Sequence, residues 1–313
     1  MGDNRADVSA WPFAPRTADL GMLALTARRQ FAGELLAYVQ RMMRHPSEPS
    51  GGTSLASAQQ NQIRGRTPPR IRKAATVLVV RQAARDIEVF MVQRPARGVF
   101  PDLHVFPGGK VDSLDADLEH ACAGLDDRDA SRRLMMARGG LRYWVTAIRE
   151  CFEESGVLLA YRSGTLFEPA DDAESERFDG YQDALGAGET TLGEIARREG
   201  LELATDRVAY FSHWITPETA PARFDTRFFV AAMPPRQSAF GHQHETVGGE
   251  WVTPTAALSR FDADEWQMIF PTLTTLRMAA PFRSVEDLLG AVRAGEHRIE
   301  IAGELHRQGM QYS

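Results

Sequence analysis

Arg149-Glu150-Cys151-Phe152-Glu153-Glu154-Ser155-Gly156-Val157 closes an apolar run marked by Trp144, Val145, Ile148 and Phe152. At about 100° per residue, Glu150, Glu153 and Glu154 fall on one helical face, while Val145, Ile148 and Phe152 point away into a core. Like charges at these spacings destabilise a helix by about a few tenths of a kcal/mol per pair, and a helix C-terminus is a poor place for anions. Either the face is a solvated stripe or something cationic offsets it. Hard oxygen ligands at this density suit Mg²⁺ or Mn²⁺, which in turn bind substrate phosphates. Gly156 supplies a left-handed helix stop before Val157-Leu158-Leu159.

Outward from this segment, residues 130–155 read as one long helical pattern. Upstream, Ala75–Arg81 and Glu88–Gln93 read as paired strands around a polar turn at Ala83–Asp86. Further strands are expected at Arg207–Ile215, Phe224–Met233 and Glu250–Thr253, and helices at Thr255–Leu258, around Pro271–Met278 and at Val285–Ala294. The mixture lacks a regular βαβ rhythm and a glycine fingerprint after the first strand, which argues against a dinucleotide-binding fold and for an α/β sandwich with a mixed sheet. Residues 20–44 carry an amphipathic pattern ended by Pro46, and Pro46–Pro69 shifts to Ser, Gly, Pro, Gln and Asn. The expected organisation is an N-terminal helical arm over 1–45, a linker over 46–70, a domain over 71–255 and a C-terminal helical extension over 256–313.

Charge is uneven. Residues 1–75 hold 11 basic against 5 acidic residues, net +6, and the rest 25 against 37, net −12. An acidic domain is not a general nucleic-acid binder. The longest apolar blocks, Ala74–Val80 and Gly156–Tyr161, are strand-sized, far short of the roughly 20 residues of a membrane helix. Ala27-Arg28-Arg29-Gln30-Phe31 has the letters of a twin-arginine export motif, but Glu34, Gln40, Arg41 and Arg44 deny it an apolar stretch. Two cysteines, Cys122 and Cys151, are too few for a disulfide framework or a Cys-based zinc site and fit a reducing, cytoplasmic setting. Cys151 occupies an apolar position and reads as packing.

The acidic helix together with Phe106-Pro107-Gly108-Gly109-Lys110-Val111-Asp112 resembles the Nudix hydrolases. Their signature is Gly, five residues, Glu, seven residues, then Arg-Glu-apolar-x-Glu-Glu-x-Gly-apolar, and every fixed position of the second half is matched from Arg149 to Val157. Counting from Gly109, the family's first Glu falls on Asp115, and about 26 residues are inserted before Arg149. The insertion, about 116–141, is expected to loop out or to prolong the catalytic helix backwards. A similar insertion, with Gln93-Arg94-Pro95, Gly98–Gly109, Trp214-Ile215-Thr216-Pro217 and Arg223–Phe229, resembles the branch that includes the peroxisomal coenzyme A diphosphatases. The resemblance spans roughly residues 71–290.

It implies an α/β/α sandwich hydrolysing a phosphoanhydride with Mg²⁺ or Mn²⁺. Metal ligation would fall to Glu150, Glu153, Glu154 and the Gly109 carbonyl, with Arg149 orienting a carboxylate and Glu153 in the catalytic set. A late-loop acid serves in the family as general base or extra ligand. Glu245 is favoured over Glu250, which belongs to the strand carrying Trp251; His242 and His244 read as solvated. Arg94, Arg97, Arg223 and Arg227 are candidates for phosphates, since a guanidinium binds them bidentately. Phe100 and His104 are candidates for a base or pantetheine pocket. The expected partner is a small nucleotide-type substrate, coenzyme A or acyl-coenzyme A first, with ADP-ribose, NADH or another nucleotide as the alternative. Neither a membrane nor a nucleic acid is expected, and a homodimer remains open. A binding module without turnover would be expected to lose one of the three glutamates, and all are present.

Overall fold

The computed structural model describes residues 69–95, 102–216, 222–240 and 248–295; the expected N-terminal arm and nearly all of the linker lie outside them. The main sheet is built from β1 (Ile71–Gln82), β2 (Ile87–Gln93), β8 (Val208–Ile215), β9 (Arg223–Ala232) and β10 (Gly248–Val252), in the order β10-β2-β1-β9-β8. Two short strands, β3 (His104–Val105) and β4 (Gly108–Lys110), pair with β2 and β1. β1 runs parallel to β9 and antiparallel to β2, so the sheet is mixed.

β1 is buried on both faces from Val77 to Val80, as a central strand must be. Alternation splits its side chains. Ala75, Val77 and Val79 join Phe90, Val92 and Phe229 under the helix Leu141–Ser155, here α2. The other face is covered by α5 (Pro254–Asp262), α6 (Phe270–Ala279) and α7 (Val285–Ala294), with α7 against β8, β9 and β1 and Phe270 edge-on to Trp214 at 5.9 Å. The fold is an α/β/α sandwich.

One long helix over 130–155 is not what forms. A 3₁₀ segment, Leu114–Ala121, is followed by α1 (Asp127–Arg133), and α2 starts only at Leu141. Met135 and Gly139 take positive φ in between, which reverses the chain. The inserted residues therefore neither loop out nor extend the helix; they pack against it. Sequence reading also missed α3 (Asp172–Gly186), α4 (Leu192–Glu199) and the small sheet of β5 (Ala160–Arg162), β6 (Thr165–Leu166) and β7 (Leu201–Leu203).

α2 is fixed from several sides. The Trp144 indole N–H donates to Val208 O at 2.8 Å, and its ring meets Phe229 edge-on at 4.7 Å. Phe152 packs edge-on to Phe178 of α3, while Gln182 Nε2 donates to Glu153 O at 3.1 Å and satisfies a carbonyl that a helix end leaves open. Gly156 at φ +73° closes the helix, its N–H bonded to Phe152 O.

Candidate active site

The acidic face of α2 is not a solvated stripe. Glu150 and Glu154 are each only 6% exposed, so their charges have left water and need partners. Glu154 Oε2 accepts the Gly108 N–H at 2.9 Å. Arg149 Nη1 is shared between Glu150 Oε1 at 2.9 Å and Glu153 Oε2 at 3.1 Å. Burial works against the guanidinium's charge, but Glu150, Asp115 and Glu153 outweigh it and hold its pKa above an already high ordinary value.

The other edge of Arg149 is held by the acid that immediately precedes the insertion. Asp115 Oδ1 accepts Nε at 2.9 Å and Oδ2 accepts Nη2 at 3.3 Å, while Nη2 also donates to Lys110 O at 2.8 Å. Asp115 itself is 1% exposed and takes the Thr146 hydroxyl at 2.7 Å and the Asp112 N–H at 2.8 Å. The position matched to the family's first Glu therefore carries an Asp that still reaches the arginine.

The glycine turn closes the site from the sheet side. β4 sets Gly109 opposite Ala75 and Gly108 opposite Thr76. A Cβ on Gly109 would fall on the Glu150 carboxylate, and one on Gly108 would run into Thr76 Oγ1 at 2.5 Å. Only glycine lets this backbone lie against the carboxylates.

A model of the NUDT19 Nudix domain matches residues 125–278. The crystal structure of a Nudix hydrolase from Alicyclobacillus acidocaldarius superposes with a TM-score of 0.56 at 29% identity, covering 71% of this chain and 96% of that one. Residues 125–278 thus carry a Nudix domain. Within that family the similarity runs toward the coenzyme A diphosphatase branch: acyl-coenzyme A diphosphatase NUDT19 of Xenopus laevis is 24% identical over 181 residues, 47% of this chain and 48% of that protein. The chain spans 43% and 48% of the length of two curated relatives it matches.

Nudix hydrolases generally use divalent metal ions. Among the described residues, no three His, Cys, Asp or Glu side chains converge tightly enough to hold an ion in the arrangement described. The donor chemistry nevertheless fits a hard cation. Glu150 and Glu153 meet at one nitrogen of Arg149, Glu154 reaches Gly108, and the glycine turn lets the backbone lie directly against the Glu150 carboxylate, so hard oxygen donors are gathered in one place.

The remaining candidates scatter. Arg97, Phe100, Glu245, His242 and His244 lie outside the described residues. Arg94 is exposed at the end of β2, its N–H bonded to Leu103 O. Arg223 Nε donates to Thr216 O at 3.2 Å.

Arg227 is not an exposed phosphate clamp. It is 6% exposed, 2.6 Å from Asp225 Oδ1 and 5.5 Å from the Tyr143 ring centroid. Burial opposes the Asp225 charge, but His213, Arg227 and Lys73 hold its pKa below the usual carboxylate range.

His104 pairs with Gln93 on the sheet face away from α2 and stacks on Trp266 at 4.1 Å. Burial lowers its pKa, Glu250 partly opposing. Glu250 lies on that same face, paired to Arg260 at 2.8 Å. Cys151 is fully buried, its thiol pushed up to about 12 by burial, which makes it inert packing. Among the described residues no helix is long and apolar enough to cross a membrane.

Proposed function

We propose that the chain is a divalent-metal-dependent pyrophosphohydrolase that splits a nucleoside diphosphate linked to a second moiety, with coenzyme A or acyl-coenzyme A preferred. The observation that carries the reading is the desolvated Glu150–Glu153–Glu154 face, braced by Arg149 and Asp115 against Gly108-Gly109. The similarity to an acyl-coenzyme A diphosphatase supports the substrate class.

Glu150, Glu153, Glu154 and the Gly109 carbonyl would hold Mg²⁺ or Mn²⁺, which supplies charge neutralisation of the phosphate oxygens and acidification of water. Arg149 holds Glu150 and Glu153 aimed by charge-assisted hydrogen bonds. Glu245 is the general base in this reading, and Arg94 and Arg97 bind the nucleotide's phosphates. Glu250 is a poorer base because its face of the sheet is turned from α2 and its carboxylate is engaged by Arg260. Both cysteines are unpaired, which supports a cytoplasmic setting.

The test is a hydrolysis screen over coenzyme A, acyl-coenzyme A, NADH, ADP-ribose and nucleoside triphosphates, with and without chelator, on the wild type and Glu153→Gln. Activity is expected to vanish with chelator and return with Mg²⁺ or Mn²⁺, and Glu153→Gln to lose about 10²–10⁴-fold in kcat at unchanged unfolding temperature. Full activity in excess chelator overturns the metal reading. A kcat/KM at least about tenfold higher for ADP-ribose, NADH or a triphosphate overturns the coenzyme A assignment and leaves the hydrolase standing.

A further inference from the structure

Beside Arg149 and Glu153 opens a cavity of about 680 Å³, within the size range of small-molecule sites. Its walls come from the inserted 3₁₀ segment and from the end of α3 and start of α4, so most of it is made by the inserted segment and α3–α4 rather than by the α2 face or the sheet. Leu118, Leu185 and Leu192 form its apolar floor, and Leu114 stands at it 52% exposed, one of the few large apolar side chains left in water among the described residues. An exposed leucine is unremarkable alone; here it borders a concave site one residue from Asp115, which grips Arg149.

The charges around the cavity decide what can enter. Setting aside Glu153 and the Asp115–Arg149 pair, Asp112, Asp117 and Glu194 face it against Arg197 and His120. A further phosphate would meet more carboxylates than cations, whereas an uncharged group meets no such penalty and gains apolar contact. At the end of the cavity, Glu153 belongs to the same acidic face that would receive the diphosphate.

We propose that this cavity is the subsite for the uncharged, chain-like arm of the substrate, on the side of the diphosphate away from the nucleoside, and that Leu114 selects for its alkyl end. This rests on the diphosphate-hydrolase reading above. It fixes an orientation: the neutral arm lies along the inserted segment, and the phosphate-rich nucleotide half lies elsewhere.

The experiment compares kcat/KM for hexanoyl-coenzyme A and ADP-ribose in the wild type, Leu114→Asp, Leu114→Met and Met135→Asp. Met135, inside the inserted segment, is likewise an exposed apolar residue, 70% exposed, but it does not line the cavity. Leu114→Asp is expected to lower the hexanoyl-coenzyme A to ADP-ribose ratio about tenfold, mainly through KM, with Leu114→Met near the wild-type ratio and Met135→Asp unchanged. A second readout needs no turnover: calorimetric binding of S-hexanoyl-pantetheine, which carries no phosphate, should be weakened by Leu114→Asp and kept by Leu114→Met. An unchanged ratio, an equal loss in Met135→Asp, or binding indifferent to Leu114→Asp overturns the subsite. If no diphosphate is hydrolysed at all, the hydrolase reading fails, and the calorimetry still decides whether the cavity takes a neutral arm.

Discussion

Replacing Asp115 by alanine removes the one carboxylate among the described residues that holds Arg149 from outside α2. Its side chain is 2% exposed and engages Arg149 Nε at 2.9 Å. Taking away one partner of a buried ion pair costs about 3–5 kcal/mol. Three features favour the lower end. Arg149 is 14% exposed, it retains Glu150 and Glu153, and Thr146 keeps a second acceptor in Arg142 O at 2.8 Å. A loss of about 3 kcal/mol corresponds to a fall of about 6–12 °C in Tm for a domain of this size class. Thermal unfolding by circular dichroism measures it, with the exposed neighbour Asp117→Ala as a control expected within about 0.5 kcal/mol of wild type. Because Arg149 would then be free to pull Glu150 and Glu153 out of line, Mn²⁺ affinity should fall about 10–100-fold in the same variant. An Asp115→Ala protein that melts like the Asp117→Ala control and binds Mn²⁺ like the wild type refutes the idea that Asp115 positions the acidic face.

Gly109→Ala should cost activity by about tenfold or more with a smaller Tm change than Asp115→Ala, because the new methyl displaces the Glu150 carboxylate rather than opening a core; steady-state kinetics beside a melting curve separate the two. His104 tests pH. Burial lowers its folded pKa, so as pH falls through about 6.5 the unfolded chain takes the proton first, and the stability it contributes above that pH is lost on acidification. His104→Phe keeps the stack on Trp266 and should flatten the pH 7 to 5 part of the urea-unfolding profile; an unaltered slope places the titration elsewhere. Glu245→Gln should depress kcat about 10²–10⁴-fold and Glu250→Gln far less, the reverse order transferring the base to Glu250.

The parts of the fold legible in the sequence are those whose signal is local. β1 and β2 show as apolar blocks around a polar turn, and the residues of α7 carry a helical period bounded by Ser284 and Gly295, which the structure uses as caps. The break in the predicted 130–155 helix hid because Leu134, Met135 and Met136 keep the segment apolar, although Gly139-Gly140 marked it. α3 and α4 also carried signals that went unread: Asp171 accepts from Glu174 N, and Thr191 with Glu194 forms a full capping box. The acidic face was legible because three glutamates on one turn and a glycine stop make a local pattern. What surrounds Arg227 and His104 in the fold was not local at all. Tyr143 covers the first and Trp266 stacks on the second, partners distant in sequence that only the tertiary fold supplies.

The same long-range logic explains how some 26 extra residues can be placed inside a signature without spoiling it. The stretch that carries the insertion is tied to α2 at both of its own ends. At its start, Asp115 grips Arg149 and Thr146 on α2. At its far side, Asp127 takes the N–H groups of Gly139 at 2.9 Å and Leu141 at 3.0 Å, and Ser131 takes that of Gly140, so α1 caps the beginning of α2 in place of the side chain that Gly140 lacks. Burial opposes the Asp127 charge, but those N–H groups and the Ser131 hydroxyl hold its pKa below the usual range. Gly140 is required there for a steric reason, since a Cβ would run into the backbone of Ser131. An insertion free at either end would have left the first turn of α2 uncapped and Arg149 without its outer carboxylate. Anchored at both, it acts as a brace on α2, and Leu114 just before the first anchor and Leu118 between the two are left to line a cavity beside it.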